Sequence, residues 1–412
     1  MESIPARSQE VELGSSCRRV ERKNVTDPYS GREQTKAKHF ILKRYLQTLA
    51  FKVLTFSDVT YVDGFSGPWE TKTGNFSDSS FMIAISVLQD AQKQILERRG
   101  NRRRIRCFFS EYSAEAFAQL QEAVAPFHKP EEGFEIKTYC GKFEDAVSEL
   151  QAFIGTSFPL IFIDPTGWTG YPFNKIRPLF VRPKCEVLIN FMYEFVNRFA
   201  YSDDEAIIAS LDPILGGPGW RDRLDPNLSR GLAVEKLFRE TLKSAGNFDF
   251  VISTRIDEAT AERPHFFITY GTKSPDGLKT FRQTEYEALR EHVKNRANAK
   301  EKKREERSNT VDLFAGHQAQ VQEATIDEIV DEQKALASAD LIATLSLYGP
   351  LNFSSVVAGL LQAYMLRETN VKDICVDLVK AGTIENTWGG GNRKPHDENL
   401  IKLKIKIRQA ET

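Results

Sequence analysis

Four short stretches of this chain put acids, glycines and aromatic rings in patterns that suit ligand chemistry. The first, Asp63-Gly64-Phe65-Ser66-Gly67-Pro68, follows an apolar run. Glycine carries no Cβ, so the backbone of such a turn can approach a ligand closely. The second is Ser110-Glu111-Tyr112. An acid ending a second strand hydrogen-bonds ribose hydroxyls in nucleotide-binding α/β folds. Its plainer use is to complement the dipole of the next helix. The third, Cys140-Gly141-Lys142-Phe143-Glu144, can hold the edge of a flat base by backbone contact, with Lys142 beside it and Phe143 as the apolar ring. Phe143 is otherwise an ordinary core residue. The fourth is Asp164-Pro165-Thr166-Gly167-Trp168. An acid at a buried strand end needs a partner whatever its job. Asp164 can orient or deprotonate an acceptor that Pro165 and Trp168 touch, or it can cap its own loop. His39 is an outside candidate for the same proton work, against the alternative of a satisfied core histidine.

These residues need elements that bring them together. Short apolar runs at 59–65, 105–111, 134–140, 158–164 and 185–192 read as strands. Helical patterns lie between them at 79–99, 113–127, 143–154 and near 172–180. Continuous apolar strands alternating with helices predict an open, largely parallel α/β sheet covered on both faces. Strands at 247–256 and 264–272, closely connected, suit an antiparallel pair. On that reading Asp63, Glu111, Phe143 and Asp164 end four consecutive strands and converge on one crevice. An initial helix near Thr35 carries Lys38 and His39, and 193–228 reads as irregular. Residues 281–308 form a long polar helix, and 309–335 a polar linker. Residues 338–408 hold three helices and a Gly-rich hairpin with Gly389 to Asn392 at its tip, the layout of a winged helix. The expected division is a tail over 1–30, a sheet domain over 31–280, the helix and linker over 281–335, and the winged helix over 336–412. A chain ending near Lys334 is expected to keep its fold.

Composition narrows the classes. Of 412 residues, 41% are hydrophobic and 27% charged, and 56 Lys plus Arg against 57 Asp plus Glu leave a net charge of -1. That excludes a uniformly basic nucleic-acid coat but not a local basic face. No apolar run approaches the length of a membrane span, and the first residues lack the apolar core of a signal peptide. Five scattered cysteines without a CxxC pair argue against a disulfide framework or a cysteine metal site, and for a cytoplasmic protein.

The seven-strand plan and the D-x-F-x-G turn are similar to those of class I S-adenosylmethionine (SAM) methyltransferases. Amino-group methyltransferases carry [DNS]-P-P-[YFW] where this chain has D-P-T-G-W, one residue longer before the ring. More specifically, KAKHFILKRYL (36–46), TYVDGFSGP (60–68), FIDPTGWTGYP (162–172), FITYGT (267–272) and Gly349-Pro350-Leu351 resemble the bacterial three-Cys-motif partner (TcmP) family over about 35–408. That resemblance implies a Rossmann-like, seven-stranded methyltransferase-like domain followed by a winged helix-turn-helix. It implies a partner protein with a clustered three-cysteine motif, similar to radical-SAM iron–sulfur proteins. SAM would lie across Asp63, Gly64, Phe65, Ser66 and Gly67, with Glu111 on the ribose and Lys142 and Phe143 by the adenine.

Six arginines fall between Arg98 and Arg106. Arg102, Arg103 and Arg104 are candidates for binding the phosphates of DNA or RNA, or else a solvated loop. The mixed-sign run from Lys294 to Arg307 reads as a solvated helix face. The leading expectation is a SAM-dependent methyltransferase acting on a nucleic acid or nucleotide. A non-catalytic module recruiting the iron–sulfur partner, and a different reaction on a nucleotide, remain as alternatives.

Overall fold

The structure, a computed structural model, describes residues 28–67, 71–100, 102–308, 317–390 and 393–404. Most of the expected tail, Pro68 and the hairpin tip at Gly391 and Asn392 lie outside the described residues.

Strands β1 (Val59–Asp63), β2 (Ile105–Glu111), β3 (Phe134–Cys140), β4 (Phe158–Ile163), β5 (Glu186–Phe191), β6 (Phe250–Asp257) and β7 (Pro264–Thr272) form one sheet. Its order is β3-β2-β1-β4-β5-β7-β6. The first five strands pair in parallel. β7 enters between β5 and β6 and runs antiparallel to both. Side chains alternate between two apolar layers, as the pleat requires. Tyr61, Phe109, Leu160, Leu188, Ile252 and Tyr270 face one layer. Val62, Phe108, Ile161, Val187, Val251 and Phe267 face the other. Both faces are dry, which is why these strands read as unbroken apolar runs.

The first layer is covered by α1 (Glu33–Val53), α2 (Ser80–Arg99) and α3 (Ala114–Val124). The second is covered by α4 (Val147–Ile154), α5 (Phe173–Phe180), α6 (Tyr193–Phe199), α7 (Glu205–Leu215) and α8 (Arg230–Gly246). Ser79 and Ser113 cap α2 and α3 by accepting from Met82 N–H and Ala116 N–H.

Two stretches differ from the sequence reading. Residues 193–228, expected to be irregular, hold α6 and α7, with Asp204 capping the second through Ala206 N–H and Ile207 N–H. Residues 317–335, expected as linker, form the first half of α10 (His317–Tyr348), which packs back along α9 (Pro275–Ser308). The terminal unit then adds β8 (Leu351–Asn352), α11 (Phe353–Ala363), α12 (Glu368–Lys380) and β9 (Leu400–Ile401). β8 pairs antiparallel with β9, and Ile384 bridges Leu403. This unit shares the apolar layer of α1 and the sheet: Leu345, Phe353, Val357, Leu361 and Ile401 belong to the same buried cluster as Tyr45 and Phe281. Arg282 Nε donates to Leu361 O at 2.7 Å, and Gln362 Nε2 to Val251 O at 2.8 Å.

Candidate functional site

A cavity of about 600 Å³ opens at the carboxyl ends of β1, β2, β3 and β4. Open α/β sheets bind ligands at such an edge. Gly64, Phe65, Glu111, Lys142, Phe143, Asp164 and Pro165 line it, as the sequence reading expects. Tyr112 and Glu144 line it as well and were not expected.

The turn after β1 is built from inside. Asp63 is completely buried. Its Oδ1 accepts from Phe65 N–H at 3.1 Å and its Oδ2 from the Ser80 hydroxyl at 2.7 Å. Ser66 Oγ donates to Asp63 O at 2.9 Å. Asp63 and Ser66 therefore hold the turn rather than the ligand, which corrects their expected place on the cofactor. Gly67 does not line the cavity either. Burial pushes the Asp63 carboxyl up to about 6, against the opposing pull of Ser80 and Phe65 N–H. Gly64 is needed for packing: a Cβ there would meet the Phe143 ring at 3.0 Å. Phe143 is 2% exposed and works as the wall behind the turn.

Glu111 ends β2, and its Oε1 accepts from Ser113 N–H at 2.6 Å. The acid braces the start of α3 and also borders the cavity. Glu144 has a side chain only 9% exposed. Its Oε2 is buried without a hydrogen-bond partner among the described residues. Tyr112 is 71% exposed, a flat ring at the cavity rim.

Asp164 is held at both oxygens. Lys38 Nζ on α1 donates to Oδ2 at 2.6 Å, and Asn190 Nδ2 at the end of β5 donates to Oδ1 at 2.7 Å. Asn190 is 3% exposed, and its Oδ1 has no partner among the described residues. Lys38, not His39, is thus the residue by which α1 reaches the crevice. His39 points away into a buried contact, with Nδ1 3.0 Å from the Tyr29 hydroxyl. Burial, then the Lys38 charge, lowers its pKa to about 3. The ring is neutral at physiological pH and a weak base, so the expected catalytic role is not supported. Trp168 also turns away: its Nε1 donates to Ser210 Oγ at 2.9 Å, and its ring lies 5.0 Å from that of Phe199. The ring packs on α6 and α7 and does not line the cavity.

Arg102, Arg103 and Arg104 precede β2 and lie at the opposite, amino edge of the sheet. A strand of this length separates the edges by roughly 20 Å. These arginines cannot touch an acceptor in the cavity. Elsewhere on the carboxyl edge, Glu194, Glu258 and His265 offer ligand atoms within 4.8 Å of one another. Arg263 already pairs with Glu258 at 2.6 Å and Glu194 at 3.7 Å, so ion pairing accounts for the cluster.

No family model and no curated protein matches the chain. Among solved structures, protein LPL1258 from Legionella pneumophila, assigned to family-model DUF519, aligns over 57% of this chain and 85% of its own, at 11% identity and a TM-score of 0.31. A likeness of that size carries no argument. No helix among the described residues is long and apolar enough to cross a membrane.

Proposed function

We propose that the cavity binds S-adenosylmethionine and that the protein methylates a nucleic acid or nucleotide. The observation that carries this is the strand order β3-β2-β1-β4-β5-β7-β6 with β7 reversed, joined to a cavity at the ends of β1 to β4. That order is the plan of class I methyltransferases to which the sequence is similar. The lining fits the ligand chemically. Glu111 and the unpartnered Glu144 oxygen offer acceptors for ribose hydroxyls and amines, and Tyr112 offers a flat face to adenine. Lys142 can pair with a carboxylate. When bound, SAM supplies an electrophilic methyl group.

The protein's task is then position and desolvation, which alone lower a barrier substantially. Asp164, fixed by Lys38 and Asn190, would orient an acceptor amine or hydroxyl beside the cofactor. Asn190 Oδ1 is a further acceptor next to it. We read the described part of 336–412 as the winged helix and a three-Cys-motif protein as its partner, in keeping with the resemblance of the sequence. One observation favours the non-catalytic alternative. Asp164 is already ion-paired with Lys38 and accepts one hydrogen bond at each oxygen, so part of its accepting capacity is spent within the protein.

Calorimetric titration with SAM, then transfer of a radiolabelled methyl group to total RNA and DNA, tests both readings. Binding with transfer supports the enzyme. Binding without transfer supports the recruiting module. Absence of binding removes both.

A further inference from the structure

The run from Lys294 to Arg307 has mixed charge in sequence, but helix α9 gathers four of its cations on one face. At 100° per residue, Lys300, Lys303, Arg304 and Arg307 fall within an arc of roughly 100° on one face. Glu301 and Glu305 lie outside that arc, and Glu301 is buried. The four cations line a pocket of about 500 Å³ together with Thr260 of the β6–β7 loop. Lys300 has a loose pair, Glu262 at 3.8 Å. Lys303 and Arg307 have no acidic partner among the described residues.

The place of this stripe follows from how α9 is anchored. The helix begins at the amino edge of the sheet, after β7, and runs toward the carboxyl edge. His292 Nε2 lies 3.1 Å from Asp257 O at the end of β6. Arg296 donates to Glu258 O and Ala261 O, each at 2.8 Å. Beyond Arg296 the helix continues for twelve residues, roughly 18 Å, past that edge. Its tip reaches the segment leading into α1: Lys302 Nζ donates to Ser30 Oγ at 3.2 Å, and Lys72 Nζ to Ser30 O at 2.9 Å. The neighbouring Tyr29 touches His39, and Lys38 beside it holds Asp164. The cationic stripe and the cavity thus open on the same edge of the sheet. Lys302 leaves α9 on the side away from the stripe, so its contact with Ser30 places the tip of the helix at that edge, while residues 29–39 do not line the stripe's pocket.

We infer that the last turns of α9, with the β6–β7 loop, form a rail that binds the phosphates of a nucleic-acid strand and leads it to the mouth of the cavity. This rests on the nucleic-acid reading of the acceptor, but not on SAM binding or methyl transfer. A rail of fixed cations at the ligand edge suits a strand whose base must reach Asp164. The arginines at the amino edge cannot serve that purpose.

The test is fluorescence anisotropy of full-length protein with a labelled 20-nucleotide single strand, DNA and RNA separately, across a salt series and without SAM. Substituting Lys300→Gln, Lys303→Gln, Arg304→Gln and Arg307→Gln together should weaken binding and lower the log–log salt slope by roughly 2 to 3, at about 0.7 per lost phosphate contact. Circular dichroism verifies that the exposed substitutions leave the fold intact. Arg102→Gln, Arg103→Gln and Arg104→Gln together should leave the slope unchanged. A wild-type slope in the first variant, or loss confined to the second, overturns the rail. So does a wild-type protein that binds no oligonucleotide, whatever its affinity for SAM. If polyglutamate competes as well as the oligonucleotide, the stripe serves an acidic protein and the proposal also falls.

Discussion

At the scale of single residues, burial sets the chemistry. Asp63 is an acid enclosed by the turn it supports, and desolvation raises its pKa from 3.8 to about 6. The folded protein therefore binds this proton more tightly than the unfolded chain. The charged carboxylate opposes folding, and stability is lost as pH rises from about 4 through 6. Asp63→Asn keeps an oxygen for Phe65 N–H and removes the charge. We expect the stability difference between variant and wild type to move in favour of the variant across pH 4 to 6, by up to the order of 3 kcal/mol. His39 acts in the other direction in both proteins, since its neutral form is favoured and acid below about 6.5 destabilises it, so the difference isolates Asp63. Denaturant melts at several pH values measure it, and a constant difference would remove the assignment. Lys38 and Asp164, with side chains 13% and 15% exposed, form the second residue-scale case. Lys38→Met leaves a carboxylate short of its partner, and we expect a loss of about 1 to 3 kcal/mol. Adding Asp164→Asn should recover most of it. Additive losses in that double-mutant cycle would mean the two groups do not couple.

At the scale of elements, the turn after β1 and the loop after β3 are one structure. Gly64 and Phe143 come from different strand ends and pack face to face. Gly64→Ala should displace the Phe143 ring and weaken ligand binding in the cavity at least tenfold. Adding Phe143→Leu should restore part of it. Full affinity in the single variant would show that the ring yields freely. The carboxyl ends of β1 to β4 were legible because apolar runs buried on both faces end abruptly in acids and glycines. The direction of individual side chains was not. Nothing in D-G-F-S-G says that the acid faces inward, and the reach of Lys38 depends on how α1 crosses the sheet edge. α7 was hidden by Pro213 within it and by Gly216-Gly217-Pro218 after it, which read as loop. The first half of α10 was hidden because it packs mainly on α9 and needs few apolar residues. Ile326 and Val330 within it do continue the helical spacing of Ala337, Leu341 and Leu345, and extending that stripe backwards points to the helix.

At the scale of the whole molecule, that missed helix changes what the terminal unit is. A polar linker would let the last domain hang freely, and a chain ending near Lys334 would then keep its fold. In the structure α10 crosses that point without a break, and the residues beyond it close one face of the sheet layer. Removing them uncovers the side of α9 on which α11 packs, takes the acceptor Leu361 O from Arg282 Nε, and takes the donor Gln362 from Val251 O. It also deletes Leu341, Leu345, Phe353, Val356, Val357, Leu360 and Leu361 from the buried cluster. Each large apolar side chain is worth roughly 1.5 to 3 kcal/mol when fully buried. Seven such side chains carry roughly 10 to 20 kcal/mol before the entropy of ordering them is set against it, the same order as the 5 to 15 kcal/mol by which a domain is ordinarily stable. We therefore expect the chain truncated after Lys334 to be insoluble, or to melt without a cooperative transition. A milder cut tests the same point with the fold preserved. Arg282→Met removes the donor to Leu361 O and its buried pair with Glu285 at 2.6 Å. It should lower stability by about 3 kcal/mol, since Glu285 is left buried without its charge partner. It should also speed hydrogen exchange in α11 as well as in α9. Exchange that accelerates in α9 alone would mean the terminal unit is fastened elsewhere, and a soluble, cooperatively folding truncated chain would return it to the status of an independent domain.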